Sequence, residues 1–187
     1  MVNKKPLPEN ARCVFKGKIF EVWQWEQKMY DGSVEIFERV KRQNTASVIA
    51  VVEDRILMLS QEQPDRRAPF SSLPGGRVNE GEDPLDAAKR ELLEETGYVS
   101  NDWTLWKEHQ PVTKMEWTIY TYIARHCIKK QEPRLDPGER ILSRLIDFEE
   151  FLLLSENPEF SETELSGVLL RARLDSKAKE ALHSLLF

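Results

Sequence analysis

Arg90, Glu91, Glu94 and Glu95 crowd together near the end of GRVNEGEDPLDAAKRELLEETGY, the stretch from Gly76 to Tyr98. On a helix, Glu91, Glu94 and Glu95 fall at i, i+3 and i+4, so three carboxylates can converge on one face. Carboxylates held this close repel one another, and at least one resists ionisation at neutral pH. A hard divalent cation removes that difficulty. Mg²⁺ takes oxygen ligands and binds through a few carboxylates together with substrate phosphates. Gly75, Gly76 and Gly81 let the preceding loop fold its backbone against the helix, where a carbonyl can add another oxygen ligand. A glutamate triplet alone is usually a solvated helix face. The full register, with fixed glycines at both ends and an arginine beside the first acid, sets this one apart.

The elements needed to position these acids are legible nearby. Asp83 is a good N-cap, Pro84 suits the first helical position and Gly97 suits the residue just past the end, so a helix is predicted over about Pro84 to Thr96. Leu85, Ala88 and Leu92 form its apolar stripe. Ahead of it, ASVIAVV (Ala46–Val52) and RILML (Arg55–Leu59) read as a buried strand pair turning at Glu53-Asp54. Residues 60–73 read as a polar loop. From Val14 to Lys41 apolar residues alternate around Asp31-Gly32, a strong hairpin signal. A lone hairpin is marginal in water, so this arm must pack on something. WTIYTYIA (Trp117–Ala124) and ERILSRLI (Glu139–Ile146) read as strands, Asp147–Leu154 opens a helix, and Ser161–Leu174 and Ser176–Leu186 have helical periodicity. Interleaved strands and helices place the chain in the α/β (α+β) class with a mixed sheet.

The chain has 187 residues, enough for one domain with a sizeable core, or one domain plus an appendage. Its 27 basic against 32 acidic residues give a net charge of -5. Such a chain gains nothing from counterion release, so a nucleic-acid polymer is not expected as a partner. No apolar run approaches the roughly 20 residues of a membrane span. Cys13 and Cys127 form no disulfide framework, and MVNKKPLPENARC carries no apolar signal core, so the expectation is a cytoplasmic protein with reduced thiols. The tryptophans read as core or interface anchors, with Trp23 or Trp25 at an interface. His109, His126 and His183 share no spacing and have no partner readable from sequence.

The stretch Gly76–Tyr98 resembles the Nudix box of the Nudix hydrolases at every position, with Tyr98 where an aliphatic residue is more usual. The resemblance implies an α/β/α sandwich around a mixed sheet, an N-terminal antiparallel β arm (1–43) and a hydrolase domain (44–187). It implies hydrolysis of a nucleoside diphosphate linked to another group. In that reading Glu91 and Glu95 bind Mg²⁺ (or Mn²⁺) directly, Glu94 is either shared or stands just behind the ligands, and the Gly75 carbonyl adds a ligand. Arg90 orients the glutamates and Glu82 supports the loop.

The arm, IFERVKR, HQPVTKMEW and PGERI follow the order of the ADP-ribose pyrophosphatases, over most of Val14–Leu170. That resemblance places Arg42 at a phosphate-binding position, Phe37 where an aromatic stacks on adenine, and Gln61 at the start of a substrate-contacting motif. Glu139 stands as general base, with Glu116 as its rival. It also implies a homodimer through the arm. Gln61-Glu62-Gln63 lacks the subfamily's arginine, Ser72 replaces a glutamate, and Val112 replaces a glycine after Pro111. These departures leave a nucleoside diphosphate sugar as the substrate class, with ADP-ribose as first candidate. A dinucleoside polyphosphate or modified-nucleotide pyrophosphatase is the rival enzyme, and a non-catalytic nucleotide sensor is the rival from another class.

Overall fold

The computed structural model describes residues 6–135, 137–138 and 140–187. The arm is three antiparallel strands, β1 (Arg12–Lys16), β2 (Phe20–Lys28) and β3 (Val34–Arg42). The β2–β3 turn closes at Asp31-Gly32 as its sequence requires: Gly32 has φ 91, and the Met29 amide donates to the Ser33 carbonyl at 2.8 Å.

The domain follows with β4 (Thr45–Val52), β5 (Arg55–Glu62), β6 (Phe70–Ser72) and β7 (Gly75–Arg77), then helix α1 (Pro84–Thr96). Next come β8 (Tyr98–Val99), β9 (Asp102–His109), β10 (Met115–Glu116), β11 (Ile119–Arg125), β12 (Ile128–Lys129) and β13 (Arg140–Ile146). Helices α2 (Phe148–Leu153), α3 (Thr163–Leu174) and α4 (Ser176–Leu186) close the chain. The central sheet has the order β13-β5-β4-β11-β9, with β6 on β5 and β7 on β4. It is mixed: β4 and β11 run parallel, while β11–β9, β4–β5 and β5–β13 run antiparallel.

β4 is apolar almost throughout because both of its faces are covered. On one face Ala46, Val48 and Ala50 meet Ala87, Ala88 and Leu92 of α1. On the other, Ile49 and Val51 meet Phe151, Leu165 and Leu169 of α2 and α3, with Leu186 of α4. This is the expected α/β/α sandwich. Leu92 is fully buried, so its truncation to Ala costs roughly 2–5 kcal/mol.

Two expectations change. The stretch 60–73 is not wholly loop, since β5 runs on to Glu62 and Phe70–Ser72 adds a short strand. β9 carries no strand assignment in the sequence reading, because its tryptophans stand among polar residues at a sheet edge. The arm joins the domain through β10, which pairs in parallel with β3. Among the described residues, no helix is long and apolar enough to cross a membrane.

Candidate active site

Helix α1 begins and ends where its caps dictate. The Asp83 side chain accepts from the Leu85 amide at 2.8 Å, and Gly97, at φ 76, donates its N–H to the Leu93 carbonyl. Its acid-bearing face is turned to the β7 loop. There the Gly75 N–H donates to Glu95 Oε2 at 2.7 Å. A Cβ on Gly76 would lie 2.3 Å from Glu91 Oε1, so only glycine leaves that carboxylate its place. A Cβ on Gly75 would lie 2.3 Å from the Ala46 carbonyl oxygen, a backbone contact that cannot yield.

Arg90 organises the rest. Its Nε and Nη2 donate to the two oxygens of Glu82 at 2.9 and 3.1 Å, and Nη2 also reaches the Arg77 carbonyl at 3.0 Å. Nη1 donates to Glu91 Oε1 at 2.8 Å and Glu94 Oε2 at 3.2 Å. Charge-assisted bonds of this kind are about twice as strong as neutral ones and fix direction. The Arg90 hydrogen bonds, helped by the Asn79 amide, hold the Glu82 carboxyl down to about 2, and Glu82 in turn raises Arg90 above its ordinary value. The three helix acids are graded in exposure: Glu95 is 6% exposed, while the Glu91 and Glu94 side chains are 16% and 47% exposed. The first two are covered by the turn and helix, and the third faces solvent.

The donor set suits a hard divalent cation: carboxylate oxygens from Glu91, Glu94 and Glu95, and a loop carbonyl at Gly75. Among the described residues, no three acidic, histidine or cysteine side chains enclose an ion-sized point. Arg90 draws Glu91 and Glu94 to itself while Gly75 holds Glu95, so the guanidinium neutralises the acids that a cation would otherwise neutralise.

Beside this cradle lies a cavity of about 770 Å³, and Glu82 belongs to both. Lys16, Lys18, Lys41 and Arg42 supply its cations, Glu116 and Trp117 another wall. Arg42 stacks over Trp117 at 4.5 Å, and its buried Nε has no hydrogen-bond partner among the described residues. Burial, then the nearby Arg77 charge, lowers the Arg42 pKa. Glu91, Glu94 and Glu95 do not line this cavity.

The other sequence-derived residues scatter. Phe37 does not line the cavity; it packs edge-on against Trp25 at 6.0 Å, with Lys114 over its ring at 4.7 Å. Arg42 lies five positions after Phe37, an odd offset, so β3 presents them on opposite faces. Gln61 is buried and donates to the Ser72 hydroxyl at 2.6 Å. Glu116 forms an ion pair with Arg39 at 2.7 Å, tying β10 to the arm. Glu139 lies outside the described residues; its neighbours Gly138 and Arg140 face Glu62 and Gln63 across a second cavity of about 380 Å³. Trp25 is buried and Trp23 half-buried on the arm. Sequence reasoning missed Arg39, Lys16 and Lys18, whose only signal was their charge on the arm.

The NUDIX domain family matches residues 41–164 of this chain, and the chain belongs to that family: it is a Nudix hydrolase. Nudix hydrolases generally require a divalent metal, which agrees with the oxygen donors of the cradle. The chain is 25% identical over 174 residues to the ADP-ribose pyrophosphatase of Bacillus subtilis (strain 168), covering 91% of this chain and 92% of that one. It is 24% identical over 178 residues to the ADP compounds hydrolase NudE of Escherichia coli (strain K12), with the same coverage. A crystal structure of an ADP compounds hydrolase superposes with a TM-score of 0.73 at 20% identity, over 91% of this chain and 93% of that one.

Proposed function

We propose that this protein hydrolyses the pyrophosphate bond of a nucleoside diphosphate linked to a sugar, with ADP-ribose as first candidate. The observation that carries the reading is the cradle: Arg90 bonded to Glu82, Glu91 and Glu94, against a glycine turn that holds Glu95. Glu91, Glu95, Glu94 and the Gly75 carbonyl would hold Mg²⁺ or Mn²⁺. When bound, that ion supplies charge for the phosphate oxygens and acidifies a water. The chain's own part is to aim oxygens and exclude alternatives. Arg90 sets the rotamers of its acids, and Glu82 anchors Arg90.

Water attacks one phosphorus, the bridging oxygen leaves with the other, and the products are a nucleoside monophosphate and a sugar phosphate. Glu139 is proposed as the general base, with Glu116 as the rival that touches the larger cavity. That cavity's volume suits a ligand of nucleotide size, and although Glu21, Glu80, Glu82 and Glu116 balance its four cations, Lys18, Lys41 and Arg42 offer positive charge to phosphates. Arg42 gives its phosphates a fixed donor, and Phe37 and Gln61 are proposed as further substrate contacts.

We also propose that the arm (1–43) and the hydrolase domain (44–187) are distinct units and that two chains pair through the arm. Val14, Phe15, Ile19, Val34 and Ile36 are all more than half exposed on it, which supports such a contact. Cys13 and Cys127 are free, in keeping with a cytoplasmic setting. The relatives named for ADP-ribose and ADP compounds support the substrate class.

The test is a panel of ADP-ribose, other nucleoside diphosphate sugars, dinucleoside polyphosphates and modified nucleoside triphosphates, each with Mg²⁺ and with Mn²⁺. Products are identified chromatographically. ADP-ribose is expected to turn over fastest, giving AMP and ribose 5-phosphate. Tight binding of ADP-ribose without turnover under either ion would instead establish a nucleotide sensor.

A further inference from the structure

The cradle leaves one buried acid unused. Glu162, at the entrance to α3, is 9% exposed, and its Oε2 is buried with no hydrogen-bond partner among the described residues. It makes no side-chain cap bond to the helix it precedes. Burying a polar group without a partner costs roughly 1–3 kcal/mol, so a position that served packing alone would be better filled by leucine.

Its place explains the choice. The residues just before it are stitched to β6: the Ser71 amide donates to the Glu159 carbonyl at 2.8 Å, and the Ser161 amide to the Ser71 carbonyl at 2.9 Å. Ser71 and Phe160 form a parallel bridge. β6 leads into Leu73, packed in one core cluster with Phe160 and Leu165, and then into Pro74 and Gly75. The Pro74 carbonyl accepts from the Val48 amide at 2.8 Å, and Gly75 binds Glu95. The Leu73 amide lies beside the Glu162 carboxyl.

The charged groups around Glu162 are few. Glu164 on α3 is the nearest, and Lys107 and His109 of β9 face Glu164 in turn. Burial, with the Glu164 charge adding to it, pushes the Glu162 carboxyl up to about 8. In that state it carries a proton and resembles a primary amide in shape and charge.

We propose that Glu162 is a positioning residue for the metal-binding turn: from the α3 side of the sheet it fixes the Leu73-Pro74-Gly75 backbone, and so sets where Gly75 meets Glu95 and the cation. This rests on the proposed ligation by Gly75 and Glu95. Glu162 touches neither metal nor substrate and acts through the turn.

The experiment measures Mn²⁺ binding without substrate, by electron paramagnetic resonance of free Mn²⁺, in wild type, E95Q, E162Q, E162L and E162A. Circular dichroism melts and steady-state kinetics on ADP-ribose accompany it. E162L is expected to melt at or above the wild-type temperature yet to bind Mn²⁺ about tenfold more weakly, the scale seen when the groups behind metal ligands are lost. Its kcat should fall with KM within about twofold, and E162Q should restore both binding and kcat. E162A is read the same way if E162L does not fold. Wild-type Mn²⁺ binding in E162L or E162A, with E95Q defective, overturns the role of Glu162 alone. E162Q as impaired as E162L also overturns it. Unchanged Mn²⁺ binding in E95Q removes the metal reading of the turn and this inference with it.

Discussion

The acid-bearing cradle and the N-terminal arm use opposite means of fixing side chains. In the cradle the acids are tied through Arg90 and the Gly75 amide within one chain. Arg90 alone makes five hydrogen bonds, and the two glycines beneath it have no room for a Cβ. In the arm, large apolar side chains such as Phe15 and Ile36 stand 59% and 61% exposed, while β10 and contacts such as the Arg39–Glu116 ion pair tie it to the domain. Chemistry that needs fixed geometry is built locally and over-determined. The arm, by contrast, leaves much of its apolar surface uncovered.

Four perturbations sharpen that contrast. Glu95→Gln strikes the buried acid proposed as a metal ligand and should lower kcat by about a hundredfold or more, measured as AMP released with Mg²⁺. A change under tenfold would show that the buried acid does not act on the reaction.

Gly76→Ala should cost about ten- to a hundredfold in kcat with little change in Tm, since the atom it displaces is the flexible end of Glu91. Gly97→Ala is the control. Its Cβ would meet the Gln131 carbonyl oxygen at 1.9 Å at a left-handed φ of 76, so it should lower Tm. Equal melting losses in both would erase the distinction between site and scaffold.

Removal of residues 1–43 should yield a monomer by light scattering, with activity reduced about tenfold or more. A fully active monomer would detach the arm from catalysis.

Smallest is Glu82→Gln. The Glu82 carboxyl titrates at about 2 in the folded chain against an ordinary 4.5. Its contribution is therefore complete above about pH 4.5 and lost as pH falls toward 2. The pair is only partly buried, with Arg90 and Glu82 side chains 30% and 17% exposed, so the Tm deficit at pH 7 should be a few degrees and should shrink at pH 3. A deficit independent of pH would point to packing rather than charge.

What the sequence disclosed follows the same division. The α1 helix could be read because Asp83, Pro84 and Gly97 act within a few residues of where they sit. The Asp31-Gly32 hairpin is likewise local. The convergence of Glu91, Glu94 and Glu95 needs only helical spacing. The opposite facing of Phe37 and Arg42 was also available, since strand side chains alternate, but matching each to a family position hid the parity.

Glu162 was not legible. In SETELS it looks like the polar start of a surface helix, and only the pairing of Ser71 with the 159–161 segment buries it. β6 is three residues long and leaves no periodicity to detect. The polar alternation of β9 marks an edge strand, whose exposed positions dilute the apolar signal.

The two-residue strand β10 has a mechanical consequence. Val40 donates to the Lys114 carbonyl at 3.1 Å, Met115 and Glu116 run beside Val40 and Lys41, and Glu116 grips Arg39. The segment from Lys114 to Glu116 is thus tied to the arm, while the next residue, Trp117, donates to the Thr45 hydroxyl of β4 at 3.0 Å. Glu116, part of one wall of the large cavity, is therefore fastened to the arm, and a shift of the arm would carry that wall with it.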